Sequence, residues 1–268
     1  MHHTIRHDPR FGPYDYGDHN AQQLPIFWVI CAPSFNLEWM IPRLRILLEH
    51  GAEFNVFHQS LSITPLHFVM TCRPYRDDEE SARLTIARFL VDNGADPNLP
   101  FPTLPYHHCR TLCDCIKLSF SAEVILCLLE IGTDPNQCDK KGLTALILAV
   151  REGQDDSAYE LLRYGANPLM RTDTRESPFL PGDLYYDISP IELASHCVLE
   201  LLLDNIPTHQ CTAQLLQHPL YLACANGPLR SVELCLNCIP QSNVAFRYFK
   251  THFTWQAKMS KSTLSISW

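Results

Sequence analysis

Apolar residues recur along this chain at helical spacing, in short runs that end abruptly. Val124, Ile125, Cys127, Leu128 and Leu129 fall on one side of a helix, and the run stops before Gly132, a residue able to take positive φ just past a helix end. The same punctuation occurs at Gly51-Ala52-Glu53-Phe54-Asn55, Gly94-Ala95-Asp96-Pro97-Asn98, Gly132-Thr133-Asp134-Pro135-Asn136 and Gly165-Ala166-Asn167-Pro168. Asp-Pro and Asn-Pro steps disfavour helix and favour an extended turn, so each glycine is followed by a projecting connection. Upstream lies a second marker: Thr64-Pro65-Leu66-His67, Thr111 to Ile116, Thr144-Ala145-Leu146 to Ala149, Ser189-Pro190-Ile191 to Ala194, and Pro219-Leu220-Tyr221-Leu222-Ala223. A Ser or Thr caps a helix, and Pro suits its first turn because the missing N–H has no partner there. Small residues such as Ala149, Ala194 and Ala223 let a second helix approach closely. The pattern predicts helix pairs separated by turns.

From Gly132 to Gly165, and again from Thr111 to Thr144, the interval is 33 residues. Two markers sharing one period identify a repeat whose units bury their apolar faces by stacking on one another. The set resembles the ankyrin repeat family. That resemblance implies an all-α fold, an ankyrin-repeat solenoid of about six helix-turn-helix units with projecting β-turn loops over residues 24–240. Residues 1–23 read as a disordered N-terminal segment, and 241–268 as a C-terminal tail or capping helix.

The units are uneven. The first runs from Leu24-Pro25-Ile26 to Gly51, with Phe27 and Trp28 where small polar residues are usual. Cys72 to Ala82 is an insertion in the second. Leu112 and Asp114 replace the Pro and His of the pattern in the third, and the fourth, about 137–169, is the cleanest. The fifth has a shortened helix pair between Glu192 and Asp204, with Asn205 where Gly is expected. The sixth starts at His218, keeps Gly227 and ends near Cys238. His67 matches the family histidine that hydrogen-bonds neighbouring turns, which implies a structural role.

Composition narrows the function. The 268 residues carry 29 acidic and 21 basic side chains, a formal charge of -8, which argues against nucleic-acid and anionic-membrane binding. Only 10 glycines against 20 prolines argue against a Gly-rich phosphate loop. Residues 1–23 lack a secretory pattern, and apolar runs such as Leu24 to Ala32 are shorter than the roughly 18 residues of a membrane span. These features predict a soluble monomer, intracellular and either cytoplasmic or nuclear, with its 12 cysteines reduced.

In ankyrin stacks the binding surface is the row of turn tips with the concave side formed by the first helices, and the resemblance implies the same here. Two turns are enlarged. Asp96 to Arg110 holds Phe101 and Tyr106 between Pro97, Pro100, Pro102 and Pro105; a stiffened loop loses less freedom on binding, although these aromatics could instead cover the poorly matched third unit. Met170 to Ile188 carries Arg171, Arg175, Phe179, Tyr185 and Tyr186, and loops of this length in compact folds are functional or disordered. Phe101, Tyr106, Arg171, Arg175, Phe179, Tyr185 and Tyr186 are therefore the expected partner-binding residues.

Chemistry has weaker claims. His107, His108, Cys109, Cys113 and Cys115 offer zinc-ligating types in a spacing that fits no familiar finger, and Cys113 and Cys115 are expected to face different ways on a helix. Cys235 and Cys238 form a C-x-x-C pair that closes a helix rather than opening one beside a strand, with Cys235 at a buried apolar position. Asp155 and Asp156 are placed in an inter-helix turn without a cleft. No catalytic, cofactor or metal residue is assigned. The reading is a non-enzymatic module that binds another protein. The alternatives are a substrate-recognition adaptor of a ubiquitin ligase, for which the flanks leave little room for a recruiting box, and a metal-dependent protein using the His107–Cys115 cluster.

Overall fold

The structure is a computed structural model that describes residues 24–31, 36–58, 63–71, 80–99, 111–139, 142–172, 188–194, 196–212, 215–226 and 228–238. The chain divides into two compact units, residues 1–107 and 108–268. The first holds α1 (Pro25–Ile30), α2 (Leu37–Glu49), α3 (Pro65–Thr71) and α4 (Glu80–Asp92). α1 packs on α2 and on α3, and α3 packs on α4. Pro65 opens α3 as its type allows, and the Thr64 hydroxyl caps it by accepting the His67 N–H at 3.2 Å. All of α3 is buried, whereas α4 buries only Arg83, Ile86, Ala87 and Leu90. That i, i+3, i+4, i+7 stripe makes α4 an amphipathic cover for a core helix. α4 already starts at Glu80, so the last residues of the expected Cys72–Ala82 insertion are helical; 72–79 lie outside the described residues.

In the second unit the order is α5 (Thr111–Lys117), α6 (Ala122–Glu130), α7 (Ala145–Glu152), α8 (Asp155–Arg163), α9 (Pro190–Leu193), α10 (His196–Asp204), a 3-10 turn at Thr208–Gln210, α11 (Gln217–Asn226) and α12 (Leu229–Cys238). Each odd-numbered helix packs on the even-numbered helix after it. Within this unit α5, α7, α9 and α11 also pack in succession, and so do α6, α8, α10 and α12, giving two layers of helices. The inner character of α7 follows from its sequence: Ala145 to Val150 are all buried, and Ala149 leaves room for its neighbours. α8 buries Ser157, Ala158, Leu161 and Leu162 and turns its charged side to solvent. Among the described residues there is no strand, only an isolated bridge between Cys138 and Thr144.

That bridge closes a turn built around a buried carboxylate. Asp139 accepts the Leu143 N–H at 3.0 Å and lies 2.8 Å from Lys117 Nζ at the end of α5. Burial pulls the Lys117 ammonium down, but Asp114 and Asp139 outweigh it and hold its pKa above the ordinary lysine value. Gln154, before α8, donates to the Ile116 carbonyl at 2.8 Å, so polar ties as well as apolar packing join the α5/α6 and α7/α8 pairs.

Asp155 and Asp156 are not in an inter-helix turn. They form the first turn of α8, where their charge favours the positive end of the helix.

Candidate functional site

The turns after α2, α4, α6 and α8 each open on a glycine of positive φ. Gly132 and Gly165 sit at φ 92° and 88°, a left-handed conformation that ends the helix and that L side chains resist. Gly51 and Gly94 hold the same place in the first unit. Two residues on, Asp96, Asp134 and Asn167 each accept the backbone N–H of a later residue, Asn98 at 2.8 Å, Asn136 at 2.9 Å and Leu169 at 2.9 Å. These are Asx turns, in which a short polar side chain replaces a backbone acceptor. The acidic or amide residue two positions after Gly94, Gly132 and Gly165 is explained by this bond.

Successive turns are then clamped by asparagine. In the first unit Asn55 donates to the Gly94 carbonyl at 2.8 Å and accepts the Asp96 N–H at 2.7 Å. In the second, Asn136 donates to the Gly165 carbonyl at 3.1 Å and accepts the Asn167 N–H at 2.7 Å. One planar amide satisfies a donor and an acceptor of the next turn at once, so each pair of turn tips is held in register. A rigid row of loops is a support on which functional side chains can be held in place.

The enlarged turn of the second unit has a closed base. Thr172 donates its N–H to the Ile188 carbonyl at 3.0 Å, and the Ile188 N–H returns to Thr172 Oγ1 at 3.1 Å. Thr172 and Ile188 are thus tied together on either side of residues 173–187, which lie outside the described residues. Beside this neck, Glu192 accepts the Ser189 N–H at 2.7 Å and the Ser189 hydroxyl at 2.9 Å and faces the exposed Arg171 at 3.4 Å. Its carbonyl lies 2.8 Å from His218 Nδ1 on α11. Pairs this exposed contribute at most about 1 kcal/mol; the backbone bonds at the neck are the firmer constraint. Of the contact residues expected from sequence, Arg171 is found at this neck. Phe101, Tyr106, Arg175, Phe179, Tyr185 and Tyr186 lie outside the described residues.

The thiols have another role. Cys113 and Cys115 do not divide between an inner and an outer face: both are fully buried, because α5 is covered by α6 on one side and α7 on another. Cys113 donates weakly to the Gln137 and Leu143 carbonyls, and burial, then Asp139, pushes its thiol far above the usual range. A protonated, enclosed thiol behaves as a small apolar side chain. His107, His108 and Cys109 lie outside the described residues, among which no group of three His, Cys, Asp or Glu is placed to hold a metal. Cys235 is buried as its position in the repeat predicts, and burial together with Cys238 and Cys224 pushes its thiol up to about 12.

Sequence reasoning missed two things. The asparagine clamp was signalled only by the recurrence of Asn at the end of the punctuation, and the Thr172–Ile188 neck pairs residues 16 positions apart with no repeated spacing to mark them. A third feature, an exposed apolar face on α1 and α2, was signalled by Trp28 in a position where small polar residues are usual.

Residues 141–173 match the family model described as Ankyrin repeat. This stretch is α7, α8 and the turn that leads to the Thr172 neck. No curated protein matches the chain. Residues 141–173 are thus an ankyrin repeat by sequence, and the turns after Gly94 and Gly132 share the bond pattern of its own turn after Gly165.

Proposed function

We propose that this chain is a non-enzymatic recognition module that binds a partner protein through its turn tips and the face of its odd-numbered helices. In this reading the six helix pairs are six divergent ankyrin repeats, of which α7/α8 keeps the family pattern most fully. Ankyrin repeats are protein-interaction modules, and among the described residues no helix is long and apolar enough to cross a membrane.

The observation that carries the reading is the neck at Thr172 and Ile188. It ties together the two ends of the segment whose sequence holds Arg175, Phe179, Tyr185 and Tyr186, with Arg171 beside it. Aromatic and Arg side chains on a firm support are the types that dominate binding energy at protein interfaces. Phe101 and Tyr106, in the enlarged turn of residues 96–110, form a second contact set.

The test is affinity capture from cell lysate with mass spectrometry, using the full chain and a Tyr185→Ala, Tyr186→Ala variant matched for helical circular dichroism. A stoichiometric partner held by the unsubstituted chain should fall by tenfold or more with the variant. Equal capture by both would move the contact to another face, and a partner consumed or chemically altered by the chain would overturn the non-enzymatic reading.

A further inference from the structure

The first helix pair of the first unit is apolar on two sides. Ile26, Phe27 and Ile30 of α1 and Met40 and Leu44 of α2 are buried in that unit. On the other side, Pro25, Trp28 and Val29 of α1 and Arg43, Ile46 and Leu47 of α2 line an open groove of about 360 Å³. Trp28 is 60% exposed and Ile46 54%, and Trp39 and Leu24 add more exposed apolar surface beside them. Trp39, Arg43, Ile46 and Leu47 stand at i, i+4, i+7 and i+8, a second helical stripe directed away from the core. Contiguous apolar surface of this kind marks a contact site.

We propose that residues 1–23 of this same chain occupy the groove and cap α1 and α2, with Tyr14 and Tyr16 as the anchoring side chains. The first argument is where that segment ends. Gln23 directly precedes Leu24 and Pro25, one on the apolar patch and the other in the groove wall, so the chain is delivered to the site. Reach is ample: Tyr16 is seven residues before Gln23, up to about 23 Å of extended chain, against about 9 Å for the length of the six-residue α1.

The chemistry also matches. Tyr14-Asp15-Tyr16-Gly17-Asp18 alternates aromatic rings with carboxylates. The groove offers apolar walls and one cation, Arg43, which is stacked 4.1 Å over the Trp39 ring and anchored by its Nη1 on the Trp39 carbonyl at 2.8 Å. The planar guanidinium has further N–H donors suited to a carboxylate. A tethered segment acts at an effective concentration in the millimolar range, so modest intrinsic affinity suffices to keep the groove covered. This inference goes beyond the partner-binding reading and does not depend on it.

The test uses the full chain with Trp255→Phe and Trp268→Phe. Of its four tryptophans, Trp28 and Trp39 then remain, both at the patch. Adding Tyr14→Ser and Tyr16→Ser should raise acrylamide quenching at least twofold with helical circular dichroism unchanged, and a synthetic peptide of residues 8–20 should restore protection. Tyr14→Phe with Tyr16→Phe should leave protection in place. Quenching that is high from the start and indifferent to the serines would overturn the proposal, since the groove would be open. Protection that fades on dilution, with a dimer in sedimentation, would also overturn it, because a second copy would be the occupant. Should the serine variant lose helix, amide exchange of residues 8–20 in the unsubstituted chain decides directly: protection supports docking, and random-coil rates refute it.

Discussion

Gly165 illustrates how a single backbone angle is written into this sequence. Its φ is 88°, and a Cβ built there would meet nothing within 4 Å, so what excludes other residues is conformation rather than space. Gly165→Ala should lower stability by roughly 1–2 kcal/mol, and Gly165→Asn by less, because Asn tolerates the left-handed region through local hydrogen bonding. Urea denaturation followed by circular dichroism separates the two; equal losses would mean that something other than φ dictates the residue. The glycines were legible because left-handed backbone admits so few residue types. The role of Asn136 was not, since the groups it clamps, Gly165 and Asn167, are 29 and 31 residues away and are brought to it only by stacking. The cysteines show another limit: spacing turns Cys113 and Cys115 different ways, but on an inner helix enclosed by neighbours both directions are buried.

Elements differ in how much holds them. α7 has eight residues with an unbroken buried run from Ala145 to Val150, while α9 has four, of which Pro190 and Ile191 are buried. Much of the order in α9 comes from its capping box, in which Ser189 and Glu192 satisfy each other's backbone and side-chain groups. In a linear stack each pair is supported only by its neighbours, so α9 and α10 should open before α7 and α8. Hydrogen exchange with mass spectrometry should find faster exchange across 190–204 than across 145–163, and uniform protection would contradict this. Glu192→Ala, which removes the capping box and the contact with Arg171, should speed exchange in α9 by about fivefold, the equivalent of ~1 kcal/mol. The short fifth pair could be read from the spacing of Ser189 and Asp204. The start of α8 has no capping side chain to mark it, since its N-cap is Gln154 with no side-chain cap bond, and its signal is the charge of Asp155 and Asp156 in the first turn.

At the scale of the whole molecule, each unit has its own hydrophobic core, but acid should not affect them equally. The two histidines described as buried, His58 and His67, both belong to the first unit. Burial lowers the pKa of each, and for His67, enclosed within α3, it takes the value from 6.5 to about 3. The sign follows from linkage: with the folded pKa below the unfolded one, protons bind the unfolded chain more readily throughout that interval. Stability is full above pH 6.5 and is lost as pH falls towards 3, at up to about 1.4 kcal/mol per unit. Between pH 7 and pH 5 the loss from His67 should be about 2 kcal/mol. Trp28 and Trp39 lie in the first unit, so in a chain with Trp255→Phe and Trp268→Phe their fluorescence reports that unit, whereas helical circular dichroism sums both. Acidification should therefore move the fluorescence midpoint in urea to lower denaturant more than the circular dichroism midpoint, pulling the two transitions apart. His67→Leu, which keeps an apolar side chain in α3 but cannot be protonated, should shrink that pH response. A fluorescence midpoint that stayed constant from pH 7 to pH 5 would show that His67 is not held neutral in the folded unit.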